Sequence, residues 1–198
     1  MMKIVAATNN KGKVKEIKSI LGEIGLEVVS QGEIGLDLDV EETGTTFEEN
    51  ALLKARAAAQ ASGMSALADD SGLCVDALDG APGVYSARYA GEGATDAMLI
   101  EKLLTVMSGV PKEKRGAQFV SVVALVTPEG KEFTARGSAD GFITESPCGS
   151  GGFGYDPVFF SSELKKTYAQ MSDAEKNRVS HRYRALMELK KILSNRLK

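Results

Sequence analysis

The sequence contains little of the chemistry on which zinc proteins and disulfide-stabilised domains depend. It has two cysteines, one histidine and no tryptophan in 198 residues. Cys74 and Cys148 lie far apart and in no paired-ligand spacing, so neither a disulfide framework nor a zinc site is indicated. A reducing cytosol fits this cysteine usage best, and we expect a cytoplasmic location.

Charge of one sign and long hydrophobic runs are also missing. Lysine and arginine total 24 against 27 aspartates and glutamates, a formal net charge of -3 that provides no basic field for nucleic acid. The apolar stretch before Asn9 is too short for a signal peptide. The stretches at 51–61 and 119–126 are interrupted by charge or too short to cross a bilayer. We therefore expect neither a nucleic-acid nor a membrane partner, and any phosphate must be bound locally.

The residues that are present suffice for one domain spanning 1–198, because 43% are hydrophobic and this length can bury a substantial core. Strands are predicted at 3–8, 26–30, 65–68, 73–77, 119–126, 132–137, 141–144 and 157–160, with the later ones pairing antiparallel. Helices are predicted from Lys13, from the capping box at Thr46 to about Ser62, after Thr95, and from the capping box at Ser172 along an apolar stripe to Leu197. This order predicts a mixed α/β fold, with a curved sheet flanked by helices and forming two lobes.

The first chemical motif is a polar turn where a strand gives way to a helix, consisting of Thr8, Asn9, Asn10, Lys11, Gly12 and Lys13. Such a turn presents backbone amides and a helix N-terminus to an anion, and Lys13 adds a positive charge. It is not a Walker A loop, since Ala7 and Val14 replace the first glycine and the metal-binding hydroxyl. A phosphate site is the functional interpretation, and an ordinary turn capped by asparagines is the structural one.

The second motif is acidic and follows a short apolar strand. Asp69 and Asp70 precede Ser71 and Gly72, and Glu41 and Glu42 are available from an acidic loop. Hard oxygen ligands close to a phosphate suit Mg²⁺, and a carboxylate not used by the metal can orient or deprotonate a water. The structural alternative is that these are turn formers and solvated loop charges. Asp70 is the stronger candidate.

The third motif, Gly149 to Pro157, matches the dinucleotide fingerprint Gly-x-Gly-x-x-Gly. The match is spurious, because that fingerprint requires a preceding strand and a following helix, whereas Pro157 disfavours a helix. A glycine-rich segment with one phenylalanine is better interpreted as a loop that approaches a ligand closely, with Phe153 stacking on a base. The alternative is a bend with Phe153 in the core.

The fourth motif runs from Lys176 to Arg182 and contains the only histidine, His181. No second ligand is spaced for zinc. Arg178 and Arg184 are interpreted as solvated helix cations. The others become binding candidates if this segment lines the same cleft as the first three motifs.

Taken together and in this order, these segments resemble the inosine triphosphate pyrophosphatase family, also called the dITP/XTP or non-canonical purine nucleoside triphosphate pyrophosphatases. The resemblance runs nearly end to end and includes Glu41 to Gly44, Phe47 to Ala51 and Gly83 to Tyr89. It implies hydrolysis of ITP, dITP and XTP to the monophosphate and pyrophosphate, which removes these nucleotides before incorporation into nucleic acid. It also implies a two-lobed fold with the active site in the cleft, a homodimer, and Mg²⁺.

The resemblance also implies roles for individual residues. Thr8 to Lys13 hold the triphosphate, Ser71 touches the substrate, and Asp70 binds the metal and accepts a proton. Glu41 is the expected second metal ligand, with Glu42 as the alternative. One wall of the base pocket is formed by Phe153, Gly154, Tyr155 and Asp156, and the base edge is read by Lys176, His181 and Arg182. Asn9 and Tyr183 depart from the family pattern, and Tyr183 can alter the pocket rim.

A mechanism follows from these roles. Lys13, the loop amides and Mg²⁺ neutralise the triphosphate, and Asp70 positions a water for attack on the α-phosphorus. The N–H groups of Lys176, His181, Arg182 and the 153–156 loop suit the 6-oxo acceptor of inosine, xanthine and guanine, whereas adenine presents an amino group there.

Two interpretations from other classes remain open. One is a regulatory protein that binds nucleotides without turnover. The other is a Mg²⁺-dependent phosphomonoesterase with an aspartyl nucleophile at Asp69 or Asp70, which release of pyrophosphate would exclude.

Overall fold

The computed structural model describes residues 3–23 and 25–196, which form a mixed α/β fold around a six-stranded sheet with the order β2-β1-β3-β4-β5-β6. The strands are β1 (Lys3–Ala6), β2 (Glu27–Ser30), β3 (Ala66–Val75), β4 (Gly116–Val126), β5 (Glu132–Ile143) and β6 (Phe159–Ser161). The helices are α1 (Lys11–Gly22), α2 (Phe47–Ser62), α3 (Asp96–Val106), α4 (Asp173–Val179) and α5 (His181–Arg196). The predicted fold class is confirmed.

The sheet combines both strand orientations. β1 pairs parallel with β2 and with β3, as expected where helices connect the strands. β5 pairs antiparallel with β6. β4 and β5 are neighbours joined by a tight turn in which the Gly130 N–H donates to the Thr127 carbonyl at 2.9 Å, so the predicted hairpin is present.

The chain divides into two compact units. The first comprises Met1–Asp70, Ser121–Gly137 and Arg182–Lys198, and the second comprises Ser71–Val120 and Ser138–His181. In the first, the alanine face of α2 packs with sheet residues such as Val5 and Val122, and α1 and α5 share a second apolar cluster. In the second, α3 packs with Phe119 and Phe159. The cleft predicted between two lobes stays a prediction.

The predicted starts of α2, α3 and α4 are confirmed in detail. The Thr46 hydroxyl accepts from the Glu49 N–H, and the Glu49 carboxylate accepts from the Thr46 N–H, which completes the capping box of α2. Gly63 ends this helix in a left-handed conformation at φ 64°. Thr95 caps α3, and a second capping box starts α4 at Ser172.

Three elements are organised differently from the sequence prediction, and several ends shift by one to three residues, as for α1, predicted from Lys13 but beginning at Lys11. The segments predicted as two strands around Asp69 to Gly72 form one strand, β3, because ion pairs described below neutralise Asp69 within the ladder. The strands predicted at 132–137 and 141–144 are likewise the single strand β5. The closing helix is instead two helices, because Ser180 is extended at φ -70° and ψ 153°. The predicted stripe residue Leu197 lies outside the described residues.

Among the helices of the described residues, none is long and apolar enough to cross a membrane.

Candidate active site

Asp69 lies inside β3 as a fully neutralised carboxylate. Its Oδ2 is 2.9 Å from Lys13 Nζ and 3.1 Å from Arg182 Nη2, and its Oδ1 accepts from the Ser121 hydroxyl. Burial alone would raise the pKa of this carboxyl, but the charges of Arg182 and Lys13 outweigh burial and hold the pKa well below its usual range. Asp69 is therefore an ionised anchor for both cations and is not available as a base near neutral pH.

Arg182 is buried, with a relative exposure of 1%, and its guanidinium contacts the carboxylates of Glu16 and Asp69. Burial opposes its charge, but Asp69 and Glu16 raise the pKa of the guanidinium. Both of these carboxylates belong to the first unit. Its predicted role as a reader of the base edge stays a prediction.

Asp70, the next residue of β3, occupies a different environment. Its Oδ1 accepts from Lys54 Nζ at 2.9 Å, and its Oδ2 has a long contact of 3.4 Å to Asn50 Nδ2. Burial raises the pKa of this carboxyl, with Glu42 adding to the effect against Lys54 and Lys13. Adjacent carboxylates whose pKa values are pushed in opposite directions are a pattern found where one is structural and the other reacts.

Lys54 connects the acidic groups of the first unit. Its Nζ lies 2.6 Å from Glu42, 2.9 Å from Asp70 and 3.1 Å from the carbonyl oxygen of Asp69. Although burial opposes its charge, Asp70 and Glu42 raise the pKa of the amine. Sequence reasoning missed this residue and treated it as a charge interrupting an apolar stretch.

The acidic loop is fixed to α2 through Asn50, whose side-chain oxygen accepts from the Gly44 N–H at 2.8 Å. A Cβ at Gly44 would stand 2.6 Å from that oxygen, so the close approach requires glycine. Glu42 is paired with Lys54, and Glu41 is exposed. Across residues 3–23 and 25–196, no three or more His, Cys, Asp or Glu side chains gather into a metal site.

The polar turn before α1 has the capped geometry of the structural interpretation, and its role in phosphate binding stays a prediction. Asn10 caps the helix, since its Oδ1 accepts from the Lys13 N–H at 3.1 Å. Asn9 accepts from Gln31 Nε2 at 2.7 Å and donates to the Leu38 carbonyl at 3.3 Å. The Thr8 hydroxyl accepts from the Asn10 N–H at 3.2 Å. These side chains shape the turn, while Lys11 and Gly12 lie at the N-terminus of α1, where an anion is favoured.

In the second unit, the glycine loop (149–157) is held by its own carboxylate. The Phe153 N–H donates to Asp156 Oδ2 at 2.9 Å, and Lys176 Nζ lies 2.6 Å from the same oxygen. The ammonium also stands 4.5 Å from the centre of the half-buried Phe153 ring, a cation–π distance. Asp156 and Lys176 are both buried, so they stabilise the loop from its side that faces the protein interior.

Other predicted base contacts lie deeper than expected. The Tyr155 ring is buried in the apolar core, and its hydroxyl donates to the Ser86 carbonyl at 2.8 Å. Burial, then Tyr89 and Asp96, raises the pKa of this phenol. The His181 ring stacks on Phe119 with 4.7 Å between centroids.

The remaining candidates from the sequence lie as follows. Ser71 is half-buried in β3, Arg178 is exposed as predicted, and Arg184 is half-buried. Tyr183 packs against the apolar cluster of α1 and α5. Tyr183 therefore lies at the edge of the core of the first unit, and its predicted effect on the pocket rim stays a prediction.

Comparison with known proteins provides independent information. Residues 4–192 match the Ham1 family. A dITP/XTP pyrophosphatase of Desulforamulus reducens is 53% identical over 99% of this chain and 97% of its own length. The dITP/XTP pyrophosphatase of Pectobacterium atrosepticum is 51% identical over 98% of this chain and 100% of its own. The Ham1 protein of Staphylococcus aureus has a solved structure that superposes with a TM-score of 0.85 at 45% identity, covering 98% of this chain and 99% of that one.

Proposed function

Because the chain belongs to the Ham1 family, we propose that it hydrolyses ITP, dITP and XTP to the nucleoside monophosphate and pyrophosphate. Relatives about half identical over nearly the full length bear the name dITP/XTP pyrophosphatase, which supports this substrate class. The observation that carries the proposal is the pair of adjacent carboxylates. Asp69 is neutralised by its ion pairs, which lower its pKa. Asp70 has a raised pKa, and its Oδ2 has only a long contact of 3.4 Å to Asn50.

The acidic residues of the first unit fit a magnesium site completed by substrate. Mg²⁺ is usually bound through one or two carboxylates, with water and phosphate oxygens completing its shell. We propose Asp70 and Glu41 as the protein ligands, since Glu41 is exposed while Glu42 is neutralised by Lys54. When bound, the metal would supply positive charge to the phosphates and the departing pyrophosphate.

Protein groups then bind the triphosphate, orient the water and accept its proton. Lys13, buried to 15% side-chain exposure beside Asp69, and the N-terminus of α1 bind the triphosphate. Lys54 holds Asp70 Oδ1, which directs the second carboxylate oxygen to the attacking water. Asp70 accepts a proton from that water as it attacks the α-phosphorus. Ser71 follows Asp70 directly in β3, and we assign it a substrate contact.

We assign the base to the glycine loop, where Phe153 provides an aromatic face. Three loop amides are already bonded within the second unit, namely Phe153 to Asp156, Gly154 to Asp96, and Asp156 to Phe153. We assign selectivity for a 6-oxo purine to Lys176, His181 and Arg182, as the family resemblance implies. We also propose a homodimer and a cytoplasmic location, the latter consistent with two cysteines that lie far apart in the sequence.

Incubation with ITP and Mg²⁺ in water enriched in heavy oxygen tests the reaction. We expect pyrophosphate as the product and the label in the monophosphate, because attack occurs at the α-phosphorus. Orthophosphate, or label only in pyrophosphate, would contradict the mechanism and favour the phosphomonoesterase or a β-attack. Comparing kcat/KM for XTP, ITP, dITP, GTP and ATP then tests the substrate class. We expect kcat/KM to be highest for the first three, lower for GTP and lowest for ATP. Sedimentation equilibrium tests the dimer.

A further inference from the structure

Asp96, the first residue of α3, reaches across the second unit to the glycine loop. Its Oδ2 accepts from the Gly154 N–H at 2.8 Å, although the two residues are 58 positions apart in the sequence. We propose that Asp96 is a positioning residue that holds the loop in its base-binding shape and thereby determines selectivity among purines. This inference rests on the proposed function, in which Phe153 stacks on the base.

The hydrogen bond acts on Gly154, the one glycine of the loop at which an added Cβ would meet nothing within 4 Å. Gly154 has φ 60° and no heavy atom within 4 Å of an added Cβ, so packing does not hold it. Glycine adopts left-handed and right-handed conformations with similar ease. A hydrogen bond to a carboxylate is shorter and stronger than a neutral one. Asp96 therefore selects the backbone conformation at Gly154.

Asp96 and Asp156 together hold consecutive amides. Asp156 accepts from Phe153, and Asp96 accepts from Gly154. The Phe153 backbone is thus fixed on both sides, with Lys176 against its ring. Removing Asp96 releases one side only, so the ring should stay in place on average but sample more orientations. The consequence is weaker base binding rather than loss of the chemical step.

Asp96 is itself held on a rigid element. Thr95 caps α3, and Leu99, Leu103 and Met107 anchor the helix in the core of the second unit. An acidic residue in the first turn also stabilises a helix through its dipole. A test must therefore separate loss of the loop contact from loss of helix stability. Thr95 offers the matched control, because its side chain caps the same helix through the Met98 N–H.

The experiment compares the wild type with Asp96→Ala, Asp96→Asn and Thr95→Ala, using ITP and ATP. For Asp96→Ala we expect KM for ITP to rise about three- to tenfold, with kcat changed less than about twofold. The preference for ITP over ATP should fall by a similar factor, because Lys176, which we assign to the 6-oxo group, packs against the Phe153 ring and loses its orientation with the loop. Asp96→Asn keeps an acceptor oxygen and should restore KM to within about twofold. Thr95→Ala should lower Tm without changing the preference.

Hydrogen exchange at the Gly154 amide provides a readout independent of activity. We expect faster exchange in Asp96→Ala but not in Thr95→Ala. An unchanged KM and preference in Asp96→Ala, or the same changes in Thr95→Ala, would overturn the proposal. If the wild type released no pyrophosphate from ITP, the proposed function and the selectivity role would both fail. The Gly154 exchange would then still decide whether Asp96 holds the loop.

Discussion

Replacing Lys54 by methionine removes the cation that connects the acidic groups of the first unit. The methionine keeps an unbranched side chain of similar length in α2, so the main loss is the charge. Lys54 Nζ lies 2.9 Å from Asp70 and 2.6 Å from Glu42, and its side chain is 13% exposed. Solvent therefore screens these contacts little. We expect lower activity together with an altered pH dependence.

The size of the effect follows from the bond to Asp70. A hydrogen bond between charged groups contributes about 1.5–3 kcal/mol, which corresponds to roughly 10- to 150-fold in kcat/KM if it is lost from the transition state. Lys54 is the largest influence that lowers the pKa of Asp70 against burial. Its removal should raise that pKa further, so the acidic limb of the pH profile should move to higher pH.

The assay is the pH dependence of pyrophosphate release from ITP at saturating Mg²⁺. Lys54→Arg keeps the charge and should largely keep the position of the acidic limb. Arg56→Met is the matched control, because it removes a cation from the same helix that pairs with Glu132 at the surface. If Lys54→Met retains kcat/KM within about threefold and an unshifted profile, our account of Asp70 is wrong.

Two further predictions concern single carboxylates. Asp70→Asn should lower turnover by roughly 10²-fold or more without lowering Tm at pH 7. The folded-state pKa of Asp70 is raised, so its contribution to stability is present at low pH and lost as pH rises through that pKa. Near-normal turnover, or a large drop in Tm, would contradict this. Glu175→Gln should destabilise the protein at pH 6, because Lys166 and Ser172 lower the pKa of Glu175 from 4.5 to about 2. Stability from a lowered pKa is lost as pH falls through this range, so the difference from wild type in urea unfolding should shrink between pH 4.5 and 2. Glu145→Gln, at an exposed site, is the control, and a difference that persists at low pH would refute the assignment.

The sequence predicted those parts of the fold that depend on local chemistry. The starts of α2, α3 and α4 were predictable because an N-cap hydroxyl and its partner amide are three residues apart. The break at Ser180 was not predictable, since the apolar spacing continues across it. The extension of β3 through Asp69 was also missed, because Lys13 and Arg182 come from distant parts of the chain.

In the candidate site, too, some residues could be predicted from local sequence and others could not. Asp70 and Phe153 could be named from motif and resemblance, and their roles stay predictions. Burial raises the pKa of Asp70, and Lys176 lies against the Phe153 ring. Lys54 and Asp96 could not be named, because each contacts a residue remote in sequence. Tyr155 shows the opposite case, since a residue within a motif has its ring in the core.

The position of Asp70 within β3 also bears on how this protein can be redesigned. β3 is hydrogen-bonded to β1 on one side and β4 on the other, so the position of Asp70 depends on the sheet rather than on loop length. The glycine loop, in contrast, belongs to a different compact unit from Asp70. A library that varies Ser150 and Phe153, which lie outside the crowded glycines and the buried Tyr155 and Asp156, should therefore yield variants with altered base binding that share one hydrolytic step. Such a library could separate evolution of specificity from evolution of catalysis.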